Sequence, residues 1–211
     1  DMKQHNIVVL LAAYNGEHFI GQQLQTILKQ TYKPFKILIN IDQSTDQTNS
    51  IVYDYAKKFS EIQILKKNIK FGSAAVNFFD LFKNADFKDT DYIALADQDD
   101  LWKKDKLEKA IDKLEQGYDG YSPNVEAFWD DGRSHVLLKN QPQQCFDHLF
   151  ESAGPGCTFV VKKDLALALQ VFLKENQTEI IQMKQYHDWL IYAFARVNNF
   201  KWFIDGFISM Q

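Results

Sequence analysis

The stretch "ALADQDDLW", residues 94–102, closes an apolar run with carboxylates at Asp97, Asp99 and Asp100, then returns at once to Leu101 and Trp102. Carboxylates within a single turn repel one another unless solvent screens them or a cation sits among them. A hard divalent ion such as Mg²⁺ or Mn²⁺ takes oxygen ligands and keeps positions for substrate phosphates, so the cluster outlines a nucleoside-diphosphate site. The competing reading is a solvated strand end followed by a capped helix start in "LWKKDKLEKA". A calcium loop is met by Asp97, Asp99 and Glu108 at its first, third and twelfth places. It fails at the fifth and sixth, where Leu101 and Trp102 replace an oxygen ligand and glycine.

The elements that must position these residues alternate along the chain. "IVVLLAA" (7–13) is a continuous apolar run of strand length, suited to a parallel strand covered on both faces. Asn15 is placed to cap the following helix, in which Phe19, Ile20, Leu24, Ile27 and Leu28 recur at helical spacing; Pro34 ends that unit. "FKILINI" (35–41) precedes a helix with Ile51, Val52, Tyr55, Ala56 and Phe59 on one side. "IQILKK" (62–67) precedes a helix from about Gly72 with Ala75, Phe78, Phe79 and Phe82 inward. "YIALA" (92–96) leads through the aspartates to a helix carrying Leu107, Ile111 and Leu114. Four such units predict an α/β fold, a mostly parallel sheet with helices on both faces. The second half is less regular: strands at 125–130 and 157–161 and helices at 163–176 and 187–197 extend the sheet with mixed strands.

A chain of 211 residues, 45% of them hydrophobic, can bury an ordinary core, and one domain is expected. A net charge of -4 with interleaved lysines and acids argues against a nucleic-acid partner. Cys145 and Cys157 lack the spacing of a metal knuckle or a disulfide framework and read as buried thiols of a reducing compartment. No apolar stretch is long enough to span a bilayer, which predicts a soluble protein. Open α/β sheets bind ligands beyond the carboxyl ends of their strands, which singles out "AYNGEH", "IDQSTDQT" and "DQDDLW".

The ordered set "LLAAYNGEHFIGQQLQTILKQTY", "IDQSTDQT", "ADQDDLW" and "HDWLI" resembles the inverting GT-A glycosyltransferases of the large bacterial family 2, and the "ADQDDLW" form resembles its rhamnosyltransferase-like branch. The resemblance covers nearly the whole chain. It implies a Rossmann-like GT-A domain over 1–211, with a nucleotide-sugar half at 1–116 and an acceptor half at 117–211. Asp97-Gln98-Asp99 becomes the DXD motif, with Asp99 the direct ligand of Mn²⁺ or Mg²⁺ and Asp97 nearer the ribose or sugar. Ala13, Tyr14 and Asn15 would line the nucleotide pocket.

Asp42 is expected to accept the ring N–H of uracil or thymine, although Ile41 and Gln43 depart from the family's adjacent aspartates and glycine. Ser44, Thr45 and Asp46 read as caps of the next helix. Asn68, Gly72 and Asn77 would frame the nucleotide-sugar, with a half-buried polar helix position the alternative for Asn77. Gly154, Gly156 and Cys157 match the stretch facing the donor sugar. Asp188 falls at the catalytic-base position, with His187 beside it and Trp189 at the acceptor groove.

The implied reaction moves a sugar from a nucleotide-diphosphate donor, dTDP-rhamnose or a UDP-hexose, to a glycan or lipid-linked glycan hydroxyl in surface polysaccharide synthesis. The implied location is the cytoplasm, with peripheral contact at the inner face of the cytoplasmic membrane. Members of the branch continue past "FIDGFISMQ" into a segment with an arginine and a histidine, so a C-terminal continuation is expected beyond this chain. Two rivals remain. A nucleotidyltransferase would want a glycine-rich basic loop where "AAYNGEHF" stands; a binding module without turnover would keep the donor site alone.

Overall fold

The computed structural model of the protein describes residues 5–128, 134–138, 143–144, 147–149, 151–182 and 186–209. Cys145 and the end of the strand expected at 125–130 lie outside them. The first half follows the alternating pattern: β1 (Ile7–Ala13), α1 (Ile20–Leu28), β2 (Lys36–Asp42), α2 (Thr48–Lys58), β3 (Ile62–Ile69), α3 (Ala74–Asn84), β4 (Tyr92–Asp97) and α4 (Lys106–Glu115). The second half holds β5 (Gly120–Phe128), β6 (Ser134–Leu137), β7 (Val160–Lys162), α5 (Lys163–Glu175), α6 (Gln177–Ile181), α7 (His187–Val197) and β8 (Trp202–Ile208).

One sheet runs β3-β2-β1-β4-β7-β5-β6, with β8 pairing β5. β1 is parallel to β2 and β4, and β2 to β3. β7 runs antiparallel to both β4 and β5, while β5 and β8 are parallel. The fold is thus the mixed, mostly parallel α/β sheet that the sequence predicts.

β1 shows why its run is continuous rather than alternating. Its odd positions, Ile7, Val9, Leu11 and Ala13, pack with α1 and α4 residues such as Leu24 and Ile111 in one apolar cluster. Its even positions, Val8, Leu10 and Ala12, pack with Phe78, Phe82 and Leu169 in another. With period two, a strand covered on both faces must be apolar at every position. Each such side chain contributes about 1.5–3 kcal/mol on burial, so the central strands are the rigid platform on which the loops stand.

Several boundaries differ from expectation. α1 starts at Ile20, not after Asn15; Asn15 takes a left-handed φ of 43° inside a turn, and Gly16 O accepts from the N–H groups of Phe19 and Ile20. Residues 156–158 form a short 3-10 turn rather than the start of a strand, so β7 begins only at Val160. β5 begins at Gly120, within "GYSPN", and α6 was not expected at all. Among the described residues no helix is long and apolar enough to cross a membrane.

Candidate active site

The strand order 3-2-1-4 places a reversal between β1 and β4, and in such sheets the crevice at the strands' carboxyl ends is where ligands bind. A cavity of about 680 Å³ opens there, lined by Ala12, Ala13 and Tyr14 after β1, Asp42, Gln43 and Thr45 after β2, Lys70, Gly72, Ser73, Ala74 and Asn77 around the start of α3, and Asp97, Gln98 and Asp99 after β4. Its size suits a nucleotide-scale ligand.

Each wall is held by hydrogen bonds that the loops cannot make within themselves. The loops after β1 and β2 clasp one another: Thr45 N donates to Asn15 Oδ1 at 2.9 Å, Asn15 N to Ser44 Oγ at 3.1 Å, Gly16 N to Thr48 Oγ1 at 2.8 Å and Gln47 N to Glu17 Oε2 at 2.9 Å. Asn15 is therefore a fastener, outside the cavity lining. Of the three residues expected to cap α2, none is its cap, which is Gln47 without a side-chain bond; Asp46, just before it, accepts from Thr48 N at 3.0 Å. Ser44 belongs to the clasp, and Thr45 faces the cavity.

Asp42 is 6% exposed, and its carboxylate accepts from Gln43 N at 2.7 Å, Phe71 N at 3.1 Å and Gly72 N at 3.2 Å. Those bonds pin the loop before α3 against the end of β2. Ser73 then caps α3, its side chain accepting from Val76 N. The helix N-terminus and Lys70 consequently face the same space, an arrangement favourable to anions. Asn77 is buried, lines the cavity and leaves Oδ1 unpartnered. Asn68 stands apart, exposed near the end of β3 with a φ of 56°, outside the lining.

The aspartate turn and the start of α4 are fixed from α1 and the residues just after it. Gln23 Nε2 donates to Asp97 O at 2.9 Å, Gln30 Nε2 to Lys103 O at 2.8 Å, and Leu107 N donates to Gln30 Oε1 at 3.1 Å. Gln23 and Gln30 are both buried, a placement that costs energy unless their amides are satisfied as here. Asp97 and Asp99 face the cavity, while Asp100 turns inward toward Cys157 and leaves Oδ2 buried without a partner. Burial, with Asp100 and Asp99 adding repulsion, pushes the Asp97 carboxyl up to about 7. Burial also raises Asp100 to about 6.

Asp97, Asp100 and Cys157 bring ligand atoms within 4.8 Å of one another. Burial and the neighbouring carboxylates push the Cys157 thiol well above its ordinary range, so it keeps its proton at neutral pH. The oxygens are the ion-binding atoms available, and an oxygen set fits Mg²⁺ or Mn²⁺. A divalent cation would also relieve the repulsion that raises Asp97.

The residues of the second half meet behind this turn. Gly154 has a φ of 127°, and Gly156 opens the 3-10 turn that carries Cys157. A Cβ on Gly156 would stand 2.5 Å from His187 Nε2 and 3.2 Å from Asp188 Cβ, so the absent side chain is what lets α7 approach. The His187 ring stacks on Phe78 at 4.7 Å, and burial lowers its pKa, favouring the neutral imidazole. Asp188 stands in the first turn of α7 and lies close enough to Asp97 to raise it further. Trp189 Nε1 donates to His148 O at 2.8 Å. None of Gly154, Gly156, Cys157, His187, Asp188 and Trp189 lines the cavity itself; Gly156, Cys157, His187 and Asp188 form a second group against its aspartate end.

Sequence reasoning missed Ala12, Gln43, Thr45, Lys70, Ser73 and Ala74 as cavity residues. A lysine just before "FGS" was the one available signal.

The family profile of Glycosyl transferase family 2 matches residues 8–205. The dTDP-rhamnosyl transferase RfbG of Shigella flexneri is 42% identical over 197 residues, covering 92% of this chain and 68% of that protein. The UDP-Glc:alpha-D-GlcNAc-diphosphoundecaprenol beta-1,3-glucosyltransferase WfgD of Escherichia coli is 25% identical over 218 residues, covering 100% of this chain and 78% of that protein. Among solved structures, S. aureus TarS 1-349 superimposes with a TM-score of 0.72 at 20% identity. That match covers 97% of this chain and 59% of the solved one, and it speaks for the fold. By the profile match and the 42% relative, the chain belongs to glycosyl transferase family 2.

Proposed function

We propose that the protein transfers a sugar from a nucleoside-diphosphate donor to a glycan hydroxyl with inversion at the anomeric carbon. dTDP-rhamnose is the first donor to test, since the relative at 42% identity is named a dTDP-rhamnosyl transferase. A UDP-hexose is second, after the relative at 25%. The observation that carries the reading is one cavity running from Asp42, over the N-terminus of α3, to Asp97 and Asp99, with Asp188 behind its aspartate end.

In this reading Tyr14 and Ala13 flank the nucleobase, and Asp42 accepts its ring N–H with the lone pairs its main-chain donors leave free. Asn77 offers an unpartnered oxygen to the donor. Asp99 and Asp97 hold Mn²⁺ or Mg²⁺, which when bound neutralises the charge growing on the departing diphosphate. Lys70 and the start of α3 attract the anionic donor into the cavity. Asp188 takes the proton from the acceptor hydroxyl as that oxygen attacks opposite the diphosphate. His187, neutral and stacked on Phe78, keeps the first turn of α7 in place, and Trp189 with the Gly154–Gly156 segment forms the acceptor side. Residues 1–116 thus serve the donor and 117–211 the acceptor, a glycan or lipid-linked glycan at the inner face of the cytoplasmic membrane.

The test is release of dTDP from dTDP-rhamnose in the presence of Mn²⁺, with water as the slow acceptor. Asp188→Asn should lower turnover about 10²–10⁴-fold, the range of a lost general base, while dTDP binding stays near native. Native-like turnover, or loss of dTDP binding, would remove Asp188 from the role.

A further inference from the structure

Gln43 follows the last residue of β2, beside Asp42, in the place where the family pattern carries glycine. Its main chain is held on two sides: N donates to Asp42 Oδ1 at 2.7 Å and to Ile69 O at 3.2 Å. The side chain shares none of that restraint. It lines the cavity, is exposed, and makes no side-chain hydrogen bond among the described residues. Its amide carries two donors and an acceptor, all uncommitted. The neighbouring donors are spent: the N–H groups of Gln43, Phe71 and Gly72 all point to the Asp42 carboxylate. The Thr45 hydroxyl, also on the cavity wall, stands 3.5 Å from Asn15 Oδ1. At this end of the cavity an acceptor, Asp42, thus has a free amide directly beside it.

Uracil and thymine show a ring N–H between two carbonyl oxygens. A site that accepts the N–H at Asp42 must offer a donor to a flanking oxygen, or strip that oxygen of water and leave it unpaired. We infer that Gln43 is a specificity-determining residue of the donor site, its amide N–H donating to a nucleobase carbonyl beside the ring N–H that Asp42 accepts. The inference rests on the donor-site reading above and supplies the second half of its base contact. Cytosine differs from the diones at both points, with a ring nitrogen that accepts and an amino group in place of one carbonyl. Asp42 opposes the ring nitrogen, and the Gln43 amide meets the substituent next to it. Glycine at this position leaves that substituent to solvent, so the departure from the family pattern is where the extra contact comes from.

The experiment is calorimetric titration of dTDP, UDP and CDP, each with Mn²⁺, into the native chain, Gln43→Met and Gln43→Glu. The side chain is exposed and the main-chain bonds survive both substitutions, so both variants should melt within about 2 °C of the native chain, and a loss of affinity then reads the contact rather than the fold. Gln43→Met keeps the length and removes the donor. Its affinity for dTDP and UDP should fall about 3–10-fold, the equivalent of one neutral hydrogen bond. Gln43→Glu sets an acceptor against the base carbonyl but can still accept from the amino group of cytosine, so the ratio of dTDP to CDP affinity should fall at least about tenfold below the native ratio. The added charge repels all three diphosphates alike and cancels in that ratio. A smaller loss in Gln43→Met, or a smaller fall of the ratio in Gln43→Glu, overturns the inference and leaves a solvated side chain at the cavity rim. A native chain that binds none of the three nucleotides defeats the donor-site reading and this inference with it, whereas native binding that both variants keep defeats the role of Gln43 alone.

Discussion

The side chain of Gln98 pairs with both main-chain groups of Tyr14: Oε1 accepts from Tyr14 N and Nε2 donates to Tyr14 O, each at 2.7 Å. The middle residue of the DQD turn is thereby a strut that sets the distance between the β1 loop and the β4 loop across the cavity. Gln98→Met keeps the length and removes both bonds. Two lost hydrogen bonds cost about 1–2 kcal/mol, so a Tm lower by about 2–8 °C is expected. dTDP affinity measured by calorimetry should fall with it by up to about 5–30-fold, on the scale of 1.4 kcal/mol per tenfold. An unchanged affinity would show that the β1 loop holds its place without the strut.

Asp42 lies at the other end of the cavity. Asp42→Asn exchanges an acceptor for a donor at a position that faces main-chain N–H groups and, in the proposed complex, a ring N–H. Hydrogen bonds to a charged group contribute about 1.5–3 kcal/mol, so dTDP and UDP affinity should fall about 10–100-fold. Cytidine diphosphate should lose less, since its ring nitrogen accepts. Equal losses for all three would mean that Asp42 acts only by pinning residues 71 and 72.

The first half was legible because its physics is local. A strand covered on both faces must be apolar nearly throughout: β1 is so at every position, and β2 and β4 are so apart from Asn40 and their polar ends. The helices on either side show their inward residues at helical spacing. The second half was less legible because tertiary pairing overrides local preference there. "GYSPN" reads as a turn, yet β5 runs through it because β7 and β8 supply partners on its two sides. The polar residues around the site divided in the same way. Asp42, Asp97 and Asp99 announce themselves by charge at strand ends. Asn15, Ser44 and Gln98 have sequence signatures compatible with capping or binding, and only the folded loops show that they fasten backbone to backbone. Lys70 reaches the cavity through the turn that Asp42 pins, by a contact between residues 29 apart that no local pattern encodes.

Gly156 should tolerate no side chain. In Gly156→Ala the added Cβ meets the His187 ring and the start of α7, and overpacking of this kind costs about 1–3 kcal/mol. Because the shift falls on Asp188 rather than on the cavity, turnover of dTDP-rhamnose should drop at least about 10-fold while dTDP binding stays near native, since misplacing a reacting group by about 1 Å can cost 10²-fold. A parallel loss of both would place Gly156 in the donor site instead.

The pH dependence follows from Asp97. Burial first, then Asp100 and Asp99, holds its folded pKa at about 7, above the ordinary 3.8. In the metal-free protein the folded state keeps a proton that the unfolded state gives up between 3.8 and about 7, so that share of stability is lost as pH rises through this window. Ion binding must expel the same proton. Mn²⁺ affinity in the presence of dTDP should therefore rise with pH, at most about tenfold per unit, and level off above about 7. An affinity flat from pH 5 upward, read by Mn²⁺ paramagnetic resonance, would show that Asp97 is not a ligand.

The most direct measurement of the central claim is calorimetric titration of dTDP into the native chain and into Asp99→Ala, with and without Mn²⁺. The donor site built from Asp42, Asp97 and Asp99 predicts binding that strengthens at least about tenfold with Mn²⁺ in the native chain, and a mutant whose affinity no longer depends on the ion. Native binding indifferent to Mn²⁺, or an Asp99→Ala variant that keeps the full metal effect, would contradict it.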